Sequence, residues 1–441
     1  MTVWQHTGLL DAGPLAMSLV AIHHLAAVTA GPAIERLGAR FTWAAQKAAC
    51  CARHLIQRHM IRVAYAAPMP HGGGALNYLI DLVEHHDRRV IDPVVFVDDT
   101  LRNAEQALER LRRCGVSVHR GPMAAPLDQF LKTGWWKQAL RDAGPFDVAN
   151  LHQHVPGVGR AFLEGARRAG IPLLMRTEQL PRFPPHDRLT LNIRRLGLRI
   201  ARSRLAAITD AAIVVSEAGR AALAARGEPA ARITSIPTAF CEAAFRTPPD
   251  RATVRAALGL PIDATVVGFL ASLTEQKQPG LFLDAAARLI ADGCKAIFVL
   301  GGDGPQASTI RRRIAELGSQ VREIGHRRDL PEVLSALDVF VLPSLWEGMP
   351  LTVLEAMRAG AAVVASDVDG TSEVIRDRVT GRLVPKADAA ALTEAIRDLV
   401  NDPASRRRMA DAGMQHVTGR FDASSLAQRT EDLYRSTLVT Y

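Results

Sequence analysis

Short apolar runs separated by longer stretches of helical periodicity recur from Ile61 onward. The runs are rich in Val, Ile, Leu and Ala without polar alternation, which is how parallel strands buried on both faces read. They predict strands at Arg62–Ala66, Pro93–Val97, Val116–His119, Asp147–Leu151, Pro172–Arg176, Ala212–Val215 and Arg232–Ile236. A turn-forming stretch, Arg246-Thr247-Pro248-Pro249-Asp250, then interrupts the pattern and reads as a linker. A second series predicts strands at Thr265–Leu270, Lys295–Leu300, Val321–Ile324, Val339–Leu342 and Ala362–Ala365. Alternating strands and helices define an α/β fold, here two doubly wound Rossmann-like domains whose strand ends face a central cleft. The expected domains are residues 61–245 and 250–420, with 421–441 as a helix crossing back to the first domain.

Residues 1–60 do not fit this alternation. Leu15–Ala30 is apolar but contains His23 and His24 and covers only 16 residues, short of the roughly 20 a membrane-spanning helix needs. Asp11 stands where a secretory leader would carry basic residues. The segment reads as an N-terminal extension, with an interfacial amphipathic helix as the alternative, because Arg36, Arg40, Lys47, Arg53 and Arg58 follow the apolar run. Met60 looks like a natural beginning, followed at once by a core strand.

The remaining composition is globular: 48% apolar and 22% charged over 441 residues, enough for two cores. The net charge of +9 arises from short arginine clusters such as Arg194-Arg195 and Arg311-Arg312-Arg313, which read as solvated helix faces. Leu189–Leu205 is an amphipathic basic helix, either an ordinary domain helix or a surface for peripheral contact with anionic membrane. No basic–aromatic interleaving points to nucleic acid. Cys50, Cys51, Cys114, Cys241 and Cys294 lack metal-ligand spacing, which fits a reducing cytoplasm and argues against a disulfide framework.

The chemistry concentrates after the predicted strand Val339–Leu342. A tight loop carries Glu347 and Gly348, and a helix opens near Pro350 with Leu351 and Thr352 in its first turn and Glu355 beyond. Helix N-termini present unpaired N–H groups suited to phosphate, and carboxylates accept sugar hydroxyls well. The combination reads as a sugar-nucleotide site. Glycines sit at two other strand–helix junctions: Gly72, Gly73 and Gly74 after the first strand, and Gly301, Gly302 and Gly304 in the second domain. Neither is a dinucleotide fingerprint or a Walker loop; each is a close-approach loop or simply a tight turn. Lys277, after the first strand of the second domain, is a candidate cation for a departing diphosphate. His152, at the tip of Asp147–Leu151, is either structural or turned to the cleft. Asp367-Val368-Asp369 has the spacing of a metal-binding pair but precedes Gly370-Thr371-Ser372-Glu373, a turn-and-cap pattern, so no metal site is expected.

Residues 61–440 resemble the GT-B glycosyltransferases of family 4, the retaining, group 1 type. The resemblance is carried by Glu347 and Glu355 with seven residues between them, and by Gly301–Pro305, Gly325-His326, Leu342-Pro343-Ser344, Glu373 and Gly381–Pro385 in the expected order. It implies that Glu355 accepts the ribose hydroxyls, Glu347 lies near the donor sugar, and the amides of Leu351 and Thr352 hold the distal phosphate. Lys277 would neutralise the leaving diphosphate, the Gly72–Gly74 loop would close over the donor, and His152 would stand at the site of transfer. The implied activity is a metal-independent, retaining hexosyltransferase without cofactor, using a nucleotide-sugar donor. Its acceptor would be a glycan or lipid-linked saccharide in polysaccharide or cell-envelope synthesis, in the cytoplasm or at the inner face of the cell membrane.

Three positions depart from the family pattern. Ser272 replaces an arginine five residues before Lys277, Thr238-Ala239 replaces an Asn-Gly turn, and Leu76 stands where the first glycine loop often has Glu. The alternative reading is therefore a catalytically impaired GT-B protein acting as a partner or glycan-binding subunit.

Overall fold

The computed structural model describes residues 60–68, 74–101, 105–123, 132–153, 158–179, 203–245 and 250–440. The expectations for the N-terminal extension, for the linker at 246–249, for Gly72 and Gly73, and for most of the basic run Leu189–Leu205 lie outside the described residues.

Residues 61–434 form one compact unit containing two parallel sheets. The first sheet has seven strands: β1 (Ile61–Ala67), β2 (Ile91–Asp98), β3 (Ser117–Gly121), β4 (Val148–Gln153), β5 (Leu173–Glu178), β6 (Ala211–Val214) and β7 (Ile233–Ser235). The second has six: β8 (Val266–Leu270), β9 (Ile297–Gly301), β10 (Val321–Gly325), β11 (Val339–Leu342), β12 (Ala362–Ser366) and β13 (Arg382–Val384). Every predicted run overlaps an observed strand. The sequence reading had no counterpart for β13, a three-residue edge strand with an arginine at its start.

The strand orders are β3-β2-β1-β4-β5-β6-β7 and β10-β9-β8-β11-β12-β13. Both are doubly wound, as expected, and each reverses direction once. The reversals lie between β1 and β4 and between β8 and β11, and ligands bind at the carboxyl ends of strands at such switch points. An aspartate fixes the register at each. Asp147, just before β4, accepts from the Arg62 amide through Oδ2 at 2.8 Å and donates its own amide to the Arg62 carbonyl at 2.9 Å. Asp338 does the same before β11, with Val266 N to Oδ2 at 2.7 Å and Asp338 N to the Val266 carbonyl at 2.9 Å.

Aromatic packing anchors the faces of the sheets. Phe96, Trp136 and Phe162 meet in the first domain, and Phe269, Phe282 and Phe298 in the second. All six are fully buried, and burying such a side chain contributes about 1.5–3 kcal/mol.

Five helices matter for the site: α1 (Gly74–His85), α2 (Glu217–Ala224), α3 (Leu351–Arg358), α4 (Asp369–Val374) and α5 (Ala423–Thr440). The chain returns to the first domain just before α5, where Phe240 N donates to the Phe421 carbonyl at 2.9 Å and Ala423 N to the Phe240 carbonyl at 3.1 Å. On α5, Glu431 accepts from the Asp87 amide at 2.9 Å and pairs with His86 Nδ1 at 3.0 Å. Tyr434 OH accepts from Asn150 Nδ2 at 2.7 Å. Among the described residues, no helix is long and apolar enough to cross a membrane.

Candidate active site

The second domain builds its part of the site from two loops at the β8–β11 switch point. The β8 loop carries Lys277 and the β11 loop carries Glu347. Backbone bonds tie them together, from Leu345 N to the Gln276 carbonyl at 2.8 Å and from Gln276 Nε2 to the Trp346 carbonyl at 2.9 Å. Lys277 Nζ donates to Glu347 Oε1 at 2.5 Å, and Ser344 Oγ donates to the same oxygen at 2.6 Å. The Glu347 side chain is 6% exposed and that of Lys277 is 20% exposed. A buried carboxylate is thus paired with a lysine that still reaches solvent. Ser344 fixes its orientation; the sequence reading did not single out this role, though the Ser-x-x-Glu spacing could have suggested it.

Helix α3 starts immediately afterwards. Pro350 precedes it without a side-chain cap, so the amides of Leu351 and Thr352 open the helix with no capping side chain. One turn on, Glu355 Oε2 is buried with no hydrogen-bond partner among the described residues. Burial pushes the Glu355 carboxyl up to about 7, and the Asp81 carboxylate on α1 adds to the effect. Asp81 itself accepts from Arg110 Nη2 at 2.8 Å.

The glycines do something more specific than a generic close approach to ligand. A β-carbon on Gly302 (φ +146°) would lie 1.9 Å from the Ala271 carbonyl oxygen, so this glycine lets the β9 loop pack on the β8 loop carrying Lys277. A β-carbon on Gly348 would lie 1.8 Å from the carbonyl oxygen of Gln179, just after β5 in the first domain. Gly348 is therefore where the β11 loop meets the first domain. Gly74 opens α1, and Gly73 lies outside the described residues.

His152 ends β4 at the other switch point and is 1% exposed. Its ring lies 5.5 Å from Tyr65 and 5.6 Å from Tyr78, centroid to centroid, and both ring nitrogens are buried without a partner among the described residues. Burial pushes its pKa down to about 3, with the His86 ring adding to the shift. His152 is therefore a neutral imidazole, and its ring contacts lie within the first domain. The structure pairs Lys277 with Glu347, sets Gly348 against the first domain, and leaves His152 on the facing sheet, where the Gln153 carbonyl accepts from the Gln179 amide at 3.2 Å.

The Asp367–Asp369 pair lies at the turn into α4. Asp367 Oδ1 accepts from Ser372 Oγ at 2.5 Å, and Asp369 begins α4. Among the described residues no group of three or more His, Cys, Asp or Glu side chains could hold a metal.

Two doubly wound domains joined over facing switch points define a GT-B protein. Residues 72–240 match Glycosyltransferase Family 4 and residues 250–416 match Glycosyl transferases group 1. The chain belongs to these glycosyltransferases. It is 36% identical over 196 residues to the alpha-maltose-1-phosphate synthase of Mycobacterium tuberculosis, a match covering 42% of this chain and 51% of that protein. The chain thus spans about half the length of that relative. It is 26% identical over 402 residues to the D-inositol 3-phosphate glycosyltransferase of Kribbella flavida, covering 83% of this chain and 92% of that protein. The crystal structure of Anabaena HepE in complex with UDP and glucose has the same fold, with a TM-score of 0.71 and 22% identity, covering 86% of this chain and all of that one (100%).

Proposed function

We infer that the protein transfers a sugar, with retention, from a nucleotide-sugar donor to a glycan or lipid-linked saccharide acceptor in the synthesis of an envelope or extracellular polysaccharide. The observation that carries this reading is the Lys277–Glu347–Ser344 cluster together with the buried, unpartnered Oε2 of Glu355 one turn into α3. A nucleoside diphosphate sugar needs both parts of it. Ribose hydroxyls donate to Glu355 and relieve its missing partner. The distal phosphate meets the uncapped first turn of α3, and Lys277 offsets the negative charge that grows on the diphosphate as the bond to the sugar breaks. His152, neutral, donates or accepts a single hydrogen bond from the sugar without adding charge. The reading assigns no metal, in keeping with the use of Asp367 in its own turn. UDP in the HepE crystals and the inositol phosphate and maltose phosphate chemistry in the relatives' names are consistent with it. Retention is the stereochemistry that the family resemblance implies. The proposed location is the cytoplasm, where nucleotide sugars are made, or the inner face of the cell membrane.

Titration of the protein with UDP, GDP and ADP by calorimetry tests the reading. At least one is expected to bind, with an affinity that falls at least about tenfold in Lys277→Ala, because a hydrogen bond to a charged group is lost. Failure of all three to bind the wild-type chain would remove the reading.

One observation favours a second reading, an impaired enzyme that serves as a binding subunit. Ser272 is exposed just beyond β8, and Lys277 is the only cation in the Ala271–Gly280 stretch. Ser272→Arg separates the two. A rise in donor turnover of ten- to a hundredfold, the value of one charged hydrogen bond, supports impairment. No rise shows that the phosphate already has its cation.

A further inference from the structure

We propose that Glu373 is a positioning residue: it latches the second domain to the start of α2 in the first and so sets the height of the Glu347–Gly348 loop over the facing sheet. Its consequence for catalysis rests on the function proposed above; the latch itself does not. Glu373 lies on α4, and its two carboxylate oxygens each accept one amide across the domain boundary. Glu217 N donates to Oε2 at 2.9 Å and Ala218 N to Oε1 at 2.8 Å. These are the first two amides of α2, and the third, of Gly219, is capped by Ser216 Oγ at 3.1 Å. A carboxylate at this place meets both the unpaired N–H groups and the positive end of the helix. Both bonds are charge-assisted and bidentate, and this geometry fixes orientation as well as distance.

The same short helix touches the catalytic loop. A β-carbon on Gly370, also on α4, would lie 1.8 Å from the Gly348 carbonyl oxygen, and one on Gly348 would lie 1.8 Å from the Gln179 carbonyl oxygen. Helix α4 is therefore in backbone contact with the Glu347–Gly348 loop at one end and holds α2 through Glu373 at the other. Two glycines leave no side chain between these backbones, so movement at the latch is transmitted to the loop with little slack. A third link lies further along the boundary, where Arg358 of α3 donates Nε to Glu242 Oε1 at 2.8 Å and Oε2 at 3.0 Å. That link bears on α3, not on the loop. Glu373 is a charged group that ties the loop's own supporting helix to the first domain.

The test is residue-resolved hydrogen exchange on the full chain as wild type, Glu373→Ala and Glu373→Gln. In Glu373→Ala the amides of Glu217 and Ala218 should exchange about tenfold faster, in line with an anion's effect at a helix N-terminus. Glu373→Gln, whose amide retains one accepting oxygen, should fall between. Arg220 N, bonded to the Ser216 carbonyl at 3.1 Å inside α2, should keep its wild-type rate. Unchanged exchange at Glu217 and Ala218 overturns the latch, and so does an equal acceleration at Arg220, which would mean that α2 has simply frayed. Titration of the same variants with UDP, GDP and ADP keeps the two readings apart. The latch predicts that the second domain's nucleotide affinity is unchanged in Glu373→Ala while kcat for sugar transfer falls; a tenfold loss of affinity overturns it. If the wild-type chain binds no nucleotide, the functional reading fails and the exchange data alone decide the latch.

Discussion

Replacing Glu355 by glutamine should make the protein more stable and a poorer nucleotide binder. The Glu355 carboxyl is raised from 4.5 to about 7 by burial and by Asp81, and each unit corresponds to about 1.36 kcal/mol. The full shift would be about 3 kcal/mol; part of the side chain still touches water, so about 1–3 kcal/mol is the expected effect. The sign follows from where the proton sits. Below pH 4.5 both folded and unfolded chains hold it, and Glu355 costs nothing. Between 4.5 and about 7 the unfolded chain releases it while the folded chain keeps it, so stability falls as pH rises through this window and levels off above it. Urea unfolding of wild type and Glu355→Gln at pH 5, 6, 7 and 8 should give a gap that is small at pH 5 and reaches about 1–3 kcal/mol at pH 8. Nucleoside diphosphate affinity of the wild type should rise with pH across the same window, because ribose hydroxyls donate best to the charged carboxylate; the variant should lose that dependence. Stability curves that run parallel from pH 5 to pH 8 would refute the electrostatic argument. A pH-dependent gap with nucleotide affinity equal to wild type would refute the ribose assignment alone.

Three further substitutions probe other parts of the site. Lys277→Ala should weaken nucleotide binding ten- to a hundredfold, the value of a charged hydrogen bond, and calorimetry at two salt concentrations checks it; equal affinity in both would sink the role of Lys277. Gly348→Ala places a β-carbon 1.8 Å from the Gln179 carbonyl oxygen, which should cost about 1–3 kcal/mol by overpacking and lower transfer activity; an unchanged melting temperature would mean that the two backbones part freely. His152→Phe removes a group whose pKa falls from 6.5 to about 3 on folding. As pH drops below 6.5 the unfolded wild type gains a proton that the folded protein refuses, so wild-type stability is lost down to about pH 3. The variant should therefore gain about 2 kcal/mol on wild type between pH 8 and pH 5, and equal slopes over that range would contradict a neutral, desolvated imidazole.

What the sequence made legible, and what it hid, follows from how far each feature reaches along the chain. Parallel strands buried on both faces are continuous apolar runs, so β8 (Val-Val-Gly-Phe-Leu) and β11 (Val-Phe-Val-Leu) are readable from four or five consecutive residues. The Glu347–Glu355 junction is local too, since a strand, a loop and a helix start lie within one short stretch. Edge strand β13 escaped because three residues beginning with arginine carry no apolar period. The purpose of the glycines was hidden for a different reason. Gly302 read as close approach or a tight turn and Gly348 as part of a tight loop, but only tertiary structure says what approaches: the Ala271 backbone for Gly302 and the Gln179 backbone for Gly348. Partners far apart in sequence were invisible altogether. Glu431 finds His86 at a separation of 345 residues, and Glu373 finds Ala218 at 155. A single chain with ordinary composition gives no local sign of either pair. Yet Glu373 with Ala218 spans the two domains, and Glu431 with His86 docks α5 on the first. The chemistry of each half-site was written into its own strand–loop–helix junction, whereas the geometry between the halves depends on side chains whose role appears only when both sheets are assembled. Substitutions at Glu373 and Gly348 are accordingly the ones that can alter transfer while leaving the Lys277–Glu347 contact intact.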